Sequence, residues 1–180
     1  MPTAVMPRAL QDPLPVWIGA GGSPGSVVRA GAAGLPLILG YIGGTPEHLR
    51  QLVDLYHAAG AEAGHADRLE VGVAVHYFAG RSQDEAASTY RHYHEFLRPK
   101  RSGGPGFSVS PQAFSEGLRP GRHLMIGTAD QVTEKLLLLH EAVPFDRVQA
   151  LVDWGGLPDH LVRESLDRLG TDIAPILRNT

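Results

Sequence analysis

The chain has 180 residues, 43% of them hydrophobic, which is long and apolar enough for one domain with a sizeable core. Its 16 Lys and Arg against 19 Asp and Glu argue against a nucleic-acid-binding protein. The absence of cysteine excludes disulfides and thiolate metal sites. No apolar run reaches the roughly 20 residues of a membrane span, and no signal-peptide pattern is present. We therefore expect a cytoplasmic protein without membrane or nucleic-acid partners.

Strands and helices are predicted to alternate along the chain. Short apolar runs bounded by Gly or Pro predict four strands, over residues 16–20, 35–39, 69–79 and 147–152, with a further extended piece at 124–126. Capping residues and apolar periodicity predict helices over residues 27–33, 45–60, 82–97, 128–143 and 161–169. This order implies parallel strands, in either a doubly wound sheet or a piece of a (β/α) barrel.

Residues 98–122 differ from the rest of the chain because they are rich in Gly, Pro and Ser and carry several basic residues. We predict a flexible insertion loop at 98–122 within a single domain that spans residues 1–180. The loop is either a lid that attracts an anion to a site or a solvated insertion without a binding role.

A glycine turn follows the first predicted strand and contains Gly21, Gly22, Ser23 and Ser26. A strand, a glycine turn with hydroxyls and a helix start together form an anion site, because backbone N–H groups and the helix dipole converge there. No Lys follows the glycines, as a P-loop would require, and Pro24 stands where a dinucleotide fingerprint needs glycine. The alternative is a tight turn in which Ser23 only caps the helix.

His76 is the candidate catalytic residue. In parallel sheets and barrels, functional sites lie at the C-terminal ends of the strands, and His76 stands near the end of the third predicted strand. It shares its parity with Gly72 and Ala74, which predicts that it points to the face with the smaller side chains. The ordinary pKa of histidine suits proton transfer. The alternative is a half-buried, hydrogen-bonded histidine without a catalytic role.

Several segments resemble the bacterial luciferase-like monooxygenase family in sequence and in order. They are residues 7–11, 14–24, 33–37, 126–136, 153–158 and 169–175. The resemblance implies a (β/α)8 barrel that binds reduced FMN or F420 at the C-terminal ends of the strands, with NAD(P)H as a possible source of electrons. It also implies that the flavin phosphate meets the glycine turn at Gly22, Ser23 and Ser26, which agrees with the anion site described above.

A complete barrel of this kind needs roughly 250 residues, and the resemblance covers only strands five to eight. The expected fold is therefore an incomplete TIM-type barrel with four parallel strands. Such a sheet has two unpaired edges and an inner face without a cover. We expect self-association, in which two copies either pair into a full eight-stranded barrel or stack their faces. The alternatives are completion by a separate N-terminal half-barrel and a truncated, marginally folded product.

Three functions are compatible with the sequence. The first is a luciferase-like flavin-dependent monooxygenase or oxidoreductase that acts on a small organic substrate and is active only when a second chain completes the barrel. The second is a non-catalytic, truncated flavin-binding or oligomerisation module. The third is a phosphate-binding α/β domain unrelated to flavin, for which the glycine turn alone would suffice.

Overall fold

A computed structural model describes residues 6–101 and 103–179. The strands are β1 (Ile18–Ala20), β2 (Leu37–Tyr41), β3 (Val71–Gly80), β4 (Met125–Thr128) and β5 (Arg147–Leu151). The helices are α1 (Pro24–Ala32), α2 (Pro46–Glu62), α3 (Gln83–Ser88), α4 (Tyr90–Leu97), α5 (Pro111–Leu118), α6 (Ala129–Ala142), α7 (Asp159–Arg168) and α8 (Ala174–Leu177). A 3-10 turn, Ala66–Arg68, precedes β3, and a π-helical turn, Leu169–Ile173, joins α7 to α8.

The parallel α/β sheet predicted from the sequence is confirmed. Every strand pair is parallel: β1 pairs with β2, β2 with β3, and β3 with both β4 and β5. The extended piece predicted around residue 125 is the short strand β4, which pairs with the last four residues of β3 and makes the sheet five-stranded. Within the described residues, β1 pairs only with β2 and β5 only with β3, so the sheet is open at both edges.

Two helical segments differ from the prediction. The helix predicted over 82–97 is divided into α3 and α4 at Thr89, whose hydroxyl donates to the Ala86 carbonyl oxygen at 2.6 Å. Within the predicted insertion loop, α5 begins where the Ser110 hydroxyl accepts the Ala113 N–H at 3.1 Å. A local capping interaction of this kind is sufficient to start a helix when the next turn buries an apolar side chain, here Phe114.

The outer face of the sheet forms the main core. Its side chains alternate along each strand and pack under α1, α2 and α6. They are Ile18, Ala20, Leu37, Leu39, Tyr41, Val71, Val73, Val75, Val148 and Ala150. These helices cover most of this face, and beside β5 it opens into a cavity of about 770 Å³ that Val75, Val148 and Ala150 line.

The inner face consists of the residues between these positions. Strand register places Gly19, Ile38, Gly72 and Arg147 in one row, and Gly40, Ala74 and Gln149 in the next. Across the first row, the Trp17 ring packs beneath the Arg147 guanidinium, 4.6 Å from the ring centroid. Most of this face is small or polar, and it remains partly exposed to solvent.

Candidate functional site

A cavity of about 500 Å³ lies at the C-terminal ends of β1, β2 and β3 on the inner face of the sheet. Its floor includes Gly21, Gly22 and Gly40, and α4 and the segment before α5 form the opposite wall. The turn after β2 contributes Ile42 and Gly43. The volume lies within the roughly 300–1,000 Å³ that is typical of small-molecule sites. We call it the inner-face cavity.

The structure places three of the predicted site residues, Gly21, Gly22 and His76, in the lining of this cavity. His76 lies in register with Leu151 of β5 and alternates with Val75 and Tyr77, so the parity predicted with Gly72 and Ala74 is confirmed. His76 lies opposite the last residue of β5 but near the middle of β3, which continues to Gly80, rather than near the end of the strand as predicted.

The surroundings of His76 fix its ring. Its Nδ1 lies 2.8 Å from the Tyr93 hydroxyl, and the rings of Tyr93 and Phe96 meet it edge-on at centroid distances of 5.4 and 5.7 Å. Burial lowers the pKa of His76 to about 4, and the nearby His123 acts in the same direction. The imidazole is therefore neutral at pH 7.

The two predicted serines lie beside the cavity, at the start of α1, rather than in its lining. Ser23 occupies the N-cap position and is exposed, but its hydroxyl does not cap the helix. Its carbonyl oxygen accepts the N–H groups of Ser26 and Val27 at 3.0 and 3.3 Å. The capping role considered for the Ser23 side chain is thus not realised, and the hydroxyl has no hydrogen-bond partner among residues 6–101 and 103–179.

Arg29 adds a positive charge to this turn, which the sequence analysis did not identify. It belongs to the last turn of α1, but its guanidinium folds back along the helix and donates to the Ser26 hydroxyl at 3.0 Å. A Cβ at Gly25 would lie only 3.6 Å from the Arg29 Nη1 atom. Hydroxyl groups, a helix N-terminus and a guanidinium are therefore close together at one side of the cavity.

Three further titratable side chains line the cavity: His48 of α2, Tyr93 of α4 and His123 before β4. Burial lowers the pKa of His123 and raises that of Tyr93. The sequence analysis did not identify Tyr93 as a site residue. Its position beside His76 depends on how α4 packs against β3, which no local pattern encodes.

Lys135 stabilises one wall of the cavity from outside its lining. It is buried on α6, and its ammonium donates to the carbonyl oxygens of Gly117 and Leu118, both at 3.1 Å, and of Leu124. Burial lowers the pKa of Lys135 to about 8. The lysine thus ties the end of α5 to the residue before β4, next to His123.

The turn after β5 has a packing role. Trp154 is buried, donates from Nε1 to the Tyr77 carbonyl oxygen at 3.2 Å and meets the Tyr93 ring edge-on. A Cβ at Gly155 would lie 1.8 Å from the His92 carbonyl oxygen, so this glycine permits α4 to approach. The contacts of Trp154 are therefore packing contacts.

The described residues contain neither a metal-binding cluster nor a helix that could span a membrane. In residues 6–101 and 103–179, no group of three or more His, Asp or Glu side chains is placed to hold a metal ion. None of the helices in those same ranges is long and apolar enough to cross a membrane.

Solved structures show the same fold at low sequence identity. A monooxygenase from Streptomyces bottropensis, RslO1, matches with a TM-score of 0.69 at 17% identity, over 96% of this chain and 51% of that one. An F420-dependent tetrahydromethanopterin reductase from Methanopyrus kandleri matches with a TM-score of 0.64 at 16% identity, over 92% and 51%. The FMN complex of the oxygenating constituent of 3,6-diketocamphane monooxygenase from Pseudomonas putida matches with a TM-score of 0.62 at 20% identity, over 88% and 47%.

The chain thus spans about half the length of these structures. No curated protein sequence matches it with significance. Residues 1–144, which are most of the chain, match the family described as luciferase-like monooxygenase. Together with the parallel sheet and the motifs quoted above, this match establishes that the chain belongs to the luciferase-like monooxygenase family.

Proposed function

We propose that this chain forms one half of a flavin-dependent oxidoreductase site of the monooxygenase type and binds FMN or F420 in the inner-face cavity. The observation that carries the proposal is the glycine-lined cavity at the C-terminal ends of parallel strands, in a member of this family. Electrons would come from NAD(P)H, and the substrate would be a small organic molecule. A cytoplasmic location also stays a prediction.

The residues present fit a flat cofactor. A Cβ added at Gly21, Gly40 or Gly43 would meet no atom within 4 Å, so each glycine leaves open space beside the backbone. All three line the same cavity, where a planar ring could lie against peptide groups. Bound flavin would supply the redox chemistry, and the chain would orient it and exclude water. His76 is the proposed catalytic residue because it faces the same space.

The phosphate is proposed to lie at Gly22, Ser23 and Ser26, with Arg29 as its cationic partner. The Ser23 hydroxyl is exposed, and the Arg29 guanidinium already reaches Ser26. Charge-assisted hydrogen bonds from hydroxyl groups and a guanidinium are the contacts that phosphate prefers. The start of α1 adds its dipole in the same direction.

The test compares FMN with riboflavin, which lacks the phosphate. FMN should bind more tightly, and the double change Ser23→Ala with Ser26→Ala should weaken FMN roughly tenfold while leaving riboflavin unaffected. Ser115→Ala, at an exposed position on α5, is the matched control and should change neither affinity. The phosphate site would be wrong if the double variant bound both flavins as the original chain does. Failure of FMN and F420 to bind at high micromolar concentration would contradict the proposal as a whole.

Activity is proposed to require a second chain that completes the barrel. This chain is either another copy or a separate half-barrel that adds the equivalents of barrel strands one to four. The open edges at β1 and β5 and the partly exposed inner face support this. Sedimentation velocity with and without FMN measures the assembly directly. In the presence of FMN we expect the mass of two chains and an oxygen-dependent consumption of NAD(P)H. A monomer that turns over would contradict the need for completion.

The same exposed inner face favours a second candidate, a non-catalytic flavin-binding or oligomerisation module. That module would bind flavin and show no substrate-dependent consumption of NAD(P)H or reduced F420. Measurable turnover by any assembly of this chain would exclude it.

A further inference from the structure

The hydroxyl of Tyr93 determines which nitrogen of His76 carries the proton. Tyr93 is 1% exposed, and within residues 6–101 and 103–179 its only hydrogen-bond partner is the His76 Nδ1, at 2.8 Å. If Nδ1 were protonated and donated to the phenol, the buried phenolic O–H would have no acceptor there. A buried donor without a partner destabilises the folded state. The satisfied arrangement has the phenol as donor and Nδ1 as acceptor.

The other nitrogen, Nε2, is directed to the cavity. No described residue forms a hydrogen bond with it, and no fully buried side-chain nitrogen or oxygen in the described ranges lacks a partner. Nε2 is therefore accessible to solvent, and the inner-face cavity is the space that His76 lines. Because burial lowers the pKa of His76 to about 4, the ring holds a single proton at pH 7. That proton resides on Nε2 when Nδ1 accepts from Tyr93.

The lining of the cavity carries no carboxylate, ammonium or guanidinium among the described residues. Its titratable members are His48, His76, Tyr93 and His123, and burial disfavours the charged forms of the last three. The apolar lining includes Leu39, Leu52, Leu97, Phe107 and Val109. An ionic ligand group would lose its hydration here without gaining a counter-charge, so the cavity suits an uncharged molecule or the uncharged ring of a larger one.

We propose that Tyr93 is a positioning residue that holds His76 as an Nε2–H donor, and that this donor binds a carbonyl oxygen of an uncharged organic group in the inner-face cavity. The ligand part rests on the proposed function, since the carbonyl belongs either to the substrate or to the ring of the bound flavin. In this role His76 polarises an acceptor oxygen and does not remove a proton.

The tautomer is tested on the full chain without any ligand. Long-range proton–nitrogen NMR spectra of histidine-labelled protein at pH 7, assigned with His76→Gln, should show a protonated Nε2 and an unprotonated Nδ1. Tyr93→Phe should introduce the other tautomer. Tyr90→Phe is the control, because the Tyr90 hydroxyl donates to the Val109 carbonyl oxygen and should leave the His76 signals unchanged. A protonated Nδ1 in the original chain, or an unchanged spectrum in Tyr93→Phe, would overturn the assignment.

The ligand is tested with FMN and, separately, with 2-acetylnaphthalene and 2-ethylnaphthalene, which differ by the carbonyl oxygen. The ketone or FMN should shift the Nε2 nitrogen resonance downfield, well beyond the small ring-current change that 2-ethylnaphthalene produces; only a change of that larger size counts as a shift here. A shift with FMN assigns the donor to the cofactor, and a shift with the ketone alone assigns it to the substrate. No shift with either refutes the ligand assignment. If FMN does not bind but the ketone shifts Nε2–H, the flavin function fails and the donor assignment stands.

Discussion

Leu37 and Ile38 are neighbours in β2, yet they belong to two different regions of the molecule. Leu37 lies on the outer face, is fully buried and packs within the main core under the helices. Ile38 lies on the inner face, in the row with Gly19 and Gly72, and is only partly buried. The outer face is therefore packed mainly against the chain's own helices, whereas the inner face stays partly exposed to solvent.

We expect the two faces of the sheet to have different roles, the outer face in stability and the inner face in ligand binding. On the outer face, side chains are large and in register, and every strand contributes to one packed cluster. On the inner face, several glycines leave open space, and the cavity near the C-terminal ends of the strands is lined by His76, His48 and His123. We therefore expect changes on the outer face to alter the free energy of unfolding, and changes on the inner face to alter ligand affinity.

The largest expected effect is on the outer face. Leu37→Ala should lower the free energy of unfolding by about 2–5 kcal/mol, because it leaves a cavity in a buried core. Ile38→Ala, one residue along, should cost less than about 1.5 kcal/mol, because its surroundings are partly open to solvent. Urea denaturation of both variants measures the difference. Equal losses would show that the two faces do not differ in the way described.

The next effect is a pH dependence that arises from His76. Its pKa is lowered from 6.5 to about 4 in the folded chain, so between these values the unfolded chain binds more protons. Stability should therefore fall as the pH falls from 6.5 to 4, by up to about 3 kcal/mol from this residue. His123 acts in the same direction, so the comparison must be with His76→Gln. Denaturation curves at pH 7, 6, 5 and 4 give the free energy of unfolding at each pH. This free energy should change less with pH in His76→Gln than in the original chain, and an identical pH dependence would contradict the burial of a neutral His76.

A third prediction concerns the close approach of α1 and α2 above the outer face. A Cβ at Gly31 would lie 2.2 Å from the Tyr56 backbone oxygen, so Gly31→Ala should cost about 1–3 kcal/mol through overpacking. Gly25→Ala in the same helix meets only the flexible Arg29 side chain, and should leave thermal stability unchanged or slightly raised. A tolerated Gly31→Ala would mean that the two helices pack differently.

The smallest effect on stability is expected at Gly40, on the inner face. Gly40→Leu places a side chain where no atom lies within 4 Å of the first added carbon, so the free energy of unfolding should change by less than about 1 kcal/mol. FMN affinity should nevertheless fall at least about tenfold, because the side chain fills the cavity. Gly19→Leu is the control, since Gly19 also meets no atom but lies outside the cavity lining. Unchanged FMN affinity in Gly40→Leu would move the cofactor elsewhere.

The sequence predicted the features that depend on local patterns. Alternation in β3 was sufficient to place His76 on the face of Gly72 and Ala74, and the capping box of Thr128 and Gln131 marked the start of α6. The order of strands and helices was sufficient to predict a parallel sheet.

Features that depend on tertiary packing escaped the sequence analysis. The division between α3 and α4 follows from one hydroxyl at Thr89, and β4 is too short to show a period. The contact between Tyr93 and His76 joins two elements 17 residues apart and leaves no signature in spacing or composition. The contact between Arg29 and Ser26 is local, and its i,i+3 spacing within one helix is a signal that could have predicted it.

The central claim, that the inner face holds the cofactor while the outer face serves stability, is tested most directly by hydrogen exchange of the full chain with and without FMN. We predict that FMN slows exchange in residues 21–26 and 40–44, at the ends of β1 and β2, and leaves the segment between α6 and β5 unchanged. Protection confined to other segments, or no protection at an FMN concentration that saturates the chain, would contradict the account.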